Sequence, residues 1–212
     1  MGFLKIPRLI LASASPRRAQ LLSQLGLTFE ICPSDVAEPP PNALQGAPTS
    51  HRERASAGAP PLQAAEVTQA LALLKARAVA PQRTEGVIIG ADTLVSFEGR
   101  LLGKPTDDAE TLEMLTQLSG TCHEVVTGVA LIEVATGREV VWAETTKVYF
   151  RELSSAEIAA YIASGEALDK AGAYGIQARG AAFVKRIEGC YFNVVGLPLA
   201  SLVEHLSKLI CE

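Results

Sequence analysis

The stretch Arg8-Leu-Ile-Leu-Ala12, followed by Ser-Ala-Ser and then Pro16-Arg-Arg, constrains the fold more than any other part of the chain. A short, compact apolar run reads as a buried strand. The residues after it read as a helix start, with Ser15 at the N-cap and Pro16 at the first helical position, where a missing N–H costs nothing. A strand feeding a helix through a tight Ser-rich loop is the opening unit of an α/β fold. It also makes an anion site, because free backbone N–H groups converge at such a helix N-terminus. Arg17 and Arg18 sit in that first turn although the helix dipole repels cations there. At about 100° per residue, Leu21, Leu22 and Leu25 define an apolar face. Arg18 falls within a few tens of degrees of its centre, and Arg17 projects to the flank. A lone arginine so placed most often pairs with a carboxylate or lays its stem along apolar surface. Two guanidiniums beside open N–H groups also suit phosphate oxygens.

The rest of the chain continues the α/β pattern. Residues 28–32 alternate as a second strand, and 64–80 form a helix with Val67, Leu71 and Leu74 on one side. Residues 86–97 read as an apolar run, a Gly-Ala-Asp-Thr turn and a second apolar run. A helix over 106–120 has acids in its first turn and Leu112, Leu115 and Leu118 on one face. Residues 124–134 and 139–150 flank Ala-Thr-Gly-Arg as a long antiparallel hairpin. Ser154 and Glu157 form a capping box. A turn at Glu188-Gly189 separates two runs, 181–187 and 190–195, that read as a second hairpin, and Pro198 opens a C-terminal helix. Alternation followed by hairpins predicts a mixed sheet with helices on its faces, built from a single domain over 1–212. Residues 33–63 hold seven of the 12 prolines. Residues 39–62 therefore read as an insertion or loop rather than a domain.

A formal net charge of −4 argues against a protein that coats nucleic acid or an anionic membrane. Any anion it binds must meet local positive charge. Four scattered cysteines and three distant histidines give neither a zinc cluster nor a disulfide framework. No stretch reaches membrane-spanning length, and the apolar run near the N-terminus is too short for a signal peptide. The expectation is a cytoplasmic protein with reduced thiols.

Asp92 is the main carboxylate of interest, since a carboxylate beyond an apolar strand lies where α/β sites collect. It can hold Mg²⁺ or take a proton from water; an Asx-turn is the commoner use of a single Asp. Gly103-Lys104-Pro105 is no Walker A loop, because the glycine spacing is one short and Pro105 replaces the magnesium-binding hydroxyl. Lys104 reads as a cation on a rigid turn or as a solvated lysine. Asp35, Glu38, Lys75, Lys170 and Gln177 are unremarkable singly. His123 lacks the nucleophile elbow that a Ser-His-Asp hydrolase would need.

Four ordered segments change the weight of these residues: LILASASPRRAQLLSQLGLTFEICPSDVAE, GADTLV, GKPTDDAETLEMLTQLSGTCHEVVTGV and LDKAGAYGIQARGAAFVKRIEGCYFNVVGLPL. Together they resemble the Maf family of nucleoside triphosphate pyrophosphatases. The resemblance implies an elongated, two-lobed mixed-sheet fold of the Maf and inosine triphosphate pyrophosphatase type, with a central cleft. It also implies metal-dependent cleavage to a nucleoside monophosphate and pyrophosphate. Ser-Pro-Arg-Arg is similar to the dTTP/UTP subgroup, whereas 7-methyl-GTP enzymes carry an aromatic residue at the Arg17 position. On this resemblance Asp92 is the proton acceptor, and Arg17, Thr93 and Gln177 discriminate the base. Ser13, Arg18, Lys75, Lys104 and Lys170 line the phosphate side, and Glu38 with Asp92 holds Mg²⁺, or Mn²⁺ in its place. The implied partner is the nucleotide, with no nucleic acid or membrane and with room for a homodimer. Alternatives are a septum-inhibition protein for which binding matters more than turnover, or a pyrophosphatase for another nucleotide. One departure stands out: Gly175-Ile176-Gln177 is followed by Ala178 where the family usually has glycine.

Overall fold

The computed structural model describes residues 8–36 and 63–211. The insertion expected at 39–62, and Glu38, lie outside the described residues. In chain order the elements are β1 (Leu9–Leu11), α1 (Pro16–Gln24), β2 (Phe29–Ile31), α2 (Ala64–Val79), β3 (Val87–Phe97), β4 (Arg100–Leu102) and α3 (Asp108–Leu118). They continue with β5 (Cys122–Glu133), β6 (Glu139–Phe150), α4 (Ser155–Ala163), β7 (Val184–Glu188), α5 (Tyr191–Val195) and α6 (Leu199–Cys211). One seven-stranded mixed sheet runs β2-β1-β3-β5-β6-β7, with β4 paired to β3. β1 is parallel to both β2 and β3, and the remaining pairs are antiparallel.

The long strands β3, β5 and β6 carry two separate cores along their length. In the first half, Leu9, Leu11, Ile89 and Val129 face α1 and α6, while Ile10, Ile88 and Ala130 face α2. In the second half, Val95, Val125, Val148 and Phe150 pack with Leu115, Ile158 and Tyr161 of α3 and α4. Two cores on one sheet make the elongated, two-lobed mixed-sheet architecture. The cleft is lined by residues of β3, α2, the start of α1 and the 169–178 segment.

Helix α1 starts at Pro16 as the sequence requires, with Ser15 at the N-cap position but making no side-chain cap bond. Helix α3 is capped by Asp107, whose carboxylate accepts the Glu110 N–H. Helix α4 carries the full Ser154–Glu157 capping box. Helix α6 follows Pro198 directly.

Three sequence expectations are corrected. Leu74 and Leu112 are 44% and 48% exposed rather than on the buried faces of α2 and α3. The buried side of α2 is Val67, Thr68, Leu71, Ala72, Lys75, Ala76 and Val79, a face centred on small residues and a lysine. The reason lies in the sheet beneath. A Cβ at Gly90 would stand 2.1 Å from the Ala72 carbonyl oxygen, and one at Gly128 would stand 2.2 Å from the Thr68 carbonyl carbon. The helix backbone rests on these two glycines at Ala72 and Thr68, so small residues take the closest contacts and Val67 and Leu71 are buried beside them. Finally, residues 190–195 form no second strand of a hairpin. Asn193, fully buried, donates its amide to the Val125 carbonyl and the Thr146 hydroxyl and pins a helical turn, α5, across β5 and β6.

Candidate active site

β5 pairs with β3 from Val87 to Ser96, but the opposite edge of β3 is shared. β1 covers Val87–Ile89 and β4 covers Val95–Phe97. Residues 90–94 fall in the gap between these two partners. The loop after β1 and the start of α1 approach from one side of the gap and the 166–178 segment from the other. They enclose a cleft of about 740 Å³. A crevice beyond the carboxyl end of a parallel strand, where the strand order changes, is where open α/β sheets place ligands.

Asp92 lies inside β3, not in a turn at the sheet edge as the Gly-Ala-Asp-Thr sequence predicted. Gly90 serves close helix packing instead of a turn, so the strand runs on uninterrupted. Asp92 shares the α2 face of the strand with Gly90, and Lys75 of α2 meets it. Lys75 Nζ donates to Asp92 Oδ1 at 2.6 Å, and the two side chains are only 8% and 9% exposed. Both charged groups line the cleft. Desolvation makes this pair interact far more strongly than the same contact would in water.

Thr93 points to the other face of β3, toward α1. There Arg18 is held at three points. Its Nε donates to the Gly196 carbonyl at 2.9 Å, Nη1 to Ser13 Oγ at 3.1 Å and Nη2 to Thr93 Oγ1 at 3.1 Å. Ser13 Oγ also accepts the Ser15 N–H at 3.2 Å. The hydroxyl of Ser13 is thus used twice as an acceptor, and its proton is the part left to donate. Arg17 diverges from Arg18, as the helix phase predicted. Its Nη1 donates to Asp169 Oδ2 at 2.8 Å and its Nη2 to the Asp169 carbonyl at 3.3 Å.

Asp169 is a cleft residue that the sequence reading passed over, although it stands inside the Leu-Asp-Lys-Ala-Gly motif. It also accepts from Lys170 Nζ at 2.5 Å. Burial works to raise its carboxyl pKa, but the hydrogen bonds from Lys170 and Arg17 outweigh this and hold it below the ordinary value. Lys170 in turn donates to the Glu166 carbonyl at 2.5 Å. Lys104 and Gln177 complete the lining. Ala178, where a glycine was expected, has φ −123° and ψ −135°, so the position requires no left-handed backbone.

Among the described residues, every sequence-predicted site residue lines this one cleft: Ser13, Arg17, Arg18, Lys75, Asp92, Thr93, Lys104, Lys170 and Gln177. No group of three or more His, Cys, Asp or Glu side chains converges as a metal cluster among the described residues. His123 belongs to the second core, where its Nε2 lies 2.8 Å from the Tyr174 hydroxyl. Burial pushes its pKa down to about 4. No helix among the described residues is long and apolar enough to cross a membrane.

The chain matches the family model described as Maf-like protein over residues 8–209. It is 48% identical over 200 residues to a dTTP/UTP pyrophosphatase of Pelotomaculum thermopropionicum, covering 94% of this chain and 95% of that one. It is 52% identical over 200 residues to a dTTP/UTP pyrophosphatase of Moorella thermoacetica, covering 94% of each. Among solved structures, it is similar to the Staphylococcus aureus Ham1 protein with a TM-score of 0.41 and 12% identity, covering 68% of this chain and 71% of that chain.

Proposed function

The chain belongs to the Maf family, and on that premise we propose that it is a nucleoside triphosphate pyrophosphatase that hydrolyses dTTP and UTP to the nucleoside monophosphate and pyrophosphate. The observation that carries this reading is the buried Lys75–Asp92 pair facing a cleft whose other groups are mainly cationic. An acidic protein thereby collects its positive charge where a triphosphate would need it.

Asp92 orients a water and takes its proton as the water oxygen attacks the α-phosphorus. Lys75, whose Nζ donates to Asp92 Oδ1, holds the carboxylate in place for that task. The new bond joins water oxygen to α-phosphorus; the bridging oxygen on the β side leaves with the electrons of the broken P–O bond, as pyrophosphate. Arg18, held rigid by Gly196, Ser13 and Thr93, grips the phosphates together with Lys104 and Lys170. The Ser13 proton adds a neutral donor. Arg17, Thr93 and Gln177 read the base, and Gln177 offers both a donor and an acceptor to a uracil or thymine edge.

Magnesium ions bound with nucleotides typically take one or two protein carboxylates and complete their shell with phosphate and water oxygens. The described part of the cleft offers Asp92 for this role, a donor set that fits a Mg²⁺-type cation better than a site needing several protein ligands. Asp92, with Glu38 as a second carboxylate, would hold Mg²⁺ or Mn²⁺. When bound, such an ion supplies Lewis-acid stabilisation of the phosphoryl charge.

The test is pyrophosphate release from dTTP, UTP, CTP, GTP and 7-methyl-GTP with Mg²⁺, comparing wild type with Asp92→Asn. The expected result is turnover of dTTP and UTP by the wild type and a loss of about 10²–10⁴-fold in the variant, the usual weight of a general base. Full activity of Asp92→Asn, or no turnover of dTTP and UTP by the wild type, would overturn the reading.

A further inference from the structure

Behind Thr93 the hydrogen bonds run in one direction. Thr127 of β5 is completely buried and faces Thr93 across the strand pair. The Thr127 hydroxyl donates to the Asn193 carbonyl at 3.0 Å, and a carbonyl can only accept. The single hydroxyl proton of Thr127 is therefore committed away from Thr93. The two hydroxyl oxygens are nevertheless 3.0 Å apart, so Thr93 must be the donor in that contact. Thr93 Oγ1 meanwhile accepts from Arg18 Nη2 at 3.1 Å. The circuit closes through α5, because the Gly196 N–H also donates to the Asn193 carbonyl at 3.0 Å while the Gly196 carbonyl receives Arg18 Nε.

We propose that Thr127 is a specificity-positioning residue: by taking the Thr93 proton, it makes Thr93 an acceptor-only group toward the cleft and selects pyrimidines that carry N3–H. This rests on the reading that the cleft takes dTTP and UTP. A freely turning threonine hydroxyl would serve donors and acceptors alike and would read nothing. With its proton withdrawn, the same oxygen has only lone-pair density to offer. On the pairing edge of uracil or thymine the donor is N3–H, flanked by two carbonyl acceptors. Cytosine carries a bare acceptor nitrogen at that position, and two facing acceptors left unpaired in a closed cleft are strongly disfavoured. The contrast with Ser13 is instructive. Ser13 receives two donors and keeps its proton to give, which suits a phosphate oxygen, whereas Thr93 gives its proton inward and keeps a lone pair.

The experiment compares kcat/KM for UTP, CTP and 3-methyl-UTP in the wild type, Thr127→Val and Thr127→Ser, with the thermal midpoint of each. In Thr127→Val the Asn193 carbonyl keeps its Gly196 partner, while the Thr93 hydroxyl is released to turn into the cleft. The expected result is a roughly tenfold fall in the UTP:CTP ratio, arising from a gain on CTP rather than a loss on UTP alone. Structural damage would lower both substrates together. Thr127→Ser restores the wild-type ratio, and the wild type rejects 3-methyl-UTP, which lacks the N3 proton. An unchanged ratio in folded Thr127→Val, or wild-type turnover of 3-methyl-UTP at the rate of UTP, overturns the proposal. If Thr127→Val does not fold, Thr127→Ala and the 3-methyl-UTP comparison decide on the same terms. Wild-type protein without UTP turnover removes the functional reading and this inference with it, whereas normal UTP turnover with an unaltered ratio removes this inference alone.

Discussion

The Lys75–Asp92 pair and the Arg17–Asp169–Lys170 cluster are both carboxylate–cation contacts on the same cleft, yet their carboxylates differ several-fold in exposure. The Lys75 and Asp92 side chains are 8% and 9% exposed, whereas that of Asp169 is 63% exposed. Lys75 and Asp92 project from the interiors of α2 and β3, and the glycine-bedded packing of helix on strand fixes their separation. Asp169, itself open to water, sits on the 166–178 segment and bridges the half-shielded Arg17 and the more buried Lys170. A desolvated pair held by regular structure keeps its geometry through a catalytic cycle. A solvated cluster can exchange one anion for another at small cost. On the proposed function, the floor of the cleft would serve the chemistry and the rim would trade charge with a ligand.

Lys75→Met gives the most severe test of that difference. Removing one partner of a buried ion pair leaves the other charge uncompensated and costs about 3–5 kcal/mol. Denaturant unfolding of Lys75→Met should show a loss of that size, and Lys75→Met/Asp92→Leu should recover part of it. A loss below about 1 kcal/mol would mean that the pair behaves like a surface contact. His123 sharpens the same point from the other side, as a buried titratable group whose hydrogen-bond partner is the neutral Tyr174 hydroxyl. Its pKa, pushed down to about 4 by burial, lies below the unfolded value near 6.5. The folded state therefore favours the neutral ring. Its contribution is fully present above about pH 6.5 and is lost as pH falls toward 4, by about 3 kcal/mol in all. His123→Phe should flatten that part of the stability profile. An unchanged slope would show that His123 is not responsible.

Arg18 and Arg17 divide between the two regimes. Arg18 is locked by Gly196, Ser13 and Thr93, while Arg17 meets the carboxylate and the backbone carbonyl of Asp169 at the rim. Arg18→Ala should depress kcat/KM for every nucleotide by about 10²-fold, the scale of a lost charge-stabilising donor. Arg17→Ala should change the ranking of nucleotides by about tenfold, with smaller effects on the total rate. Equal, unselective losses in both variants would remove the distinction.

The different fates of the two arginines were legible from helix phase alone, because Leu21 and Leu22 fix the direction of the buried face, although Leu25, expected on that face, is 36% exposed at the helix end. The strand–loop–helix start and the β5–β6 hairpin were legible for the same reason: their apolar periods match their structures. Helix α2 was legible as a helix with Val67 and Leu71 buried, but the rule that leucine faces inward fails at Leu74, because Gly90 and Gly128 bring backbone onto backbone. Ala72, Thr68 and Lys75 take the buried face, and Leu74 is left outside. The same glycine disguised Asp92, since Gly-Ala-Asp-Thr has the composition of a turn while its glycine serves helix packing. Residues 190–195 have strand-like composition, but they form a helical turn that the buried amide of Asn193 ties to Val125 and Thr146. Asp169 meets Arg17, and Thr127 meets Thr93, across long stretches of sequence, and no local pattern encodes those pairings.

The rim makes the smallest and most discriminating prediction. Asp169 occupies donors of Arg17 and Lys170 that an incoming polyanion would otherwise use. If the cluster trades charge as its exposure implies, Asp169→Asn removes a competitor. KM for dTTP and UTP should then fall by about two- to threefold at low ionic strength, with kcat nearly unchanged, as expected for a solvated ion pair worth less than about 1 kcal/mol. The gain should shrink as salt shortens the screening length. If Asp169 instead acts as a rigid brace, its loss would let Arg17 swing away, KM would rise, and the ranking of nucleotides would shift as in Arg17→Ala. The sign of the KM change therefore separates an exchangeable rim from a fixed one. Protonation does not confuse the measurement near neutral pH, because the hydrogen bonds from Lys170 and Arg17 hold the Asp169 carboxyl below its ordinary value against the opposing effect of burial. The contribution of its charge is present above that range and is lost only as pH falls through the lowered value. A steady-state series between pH 6 and 8 thus compares a charged residue with a neutral one throughout.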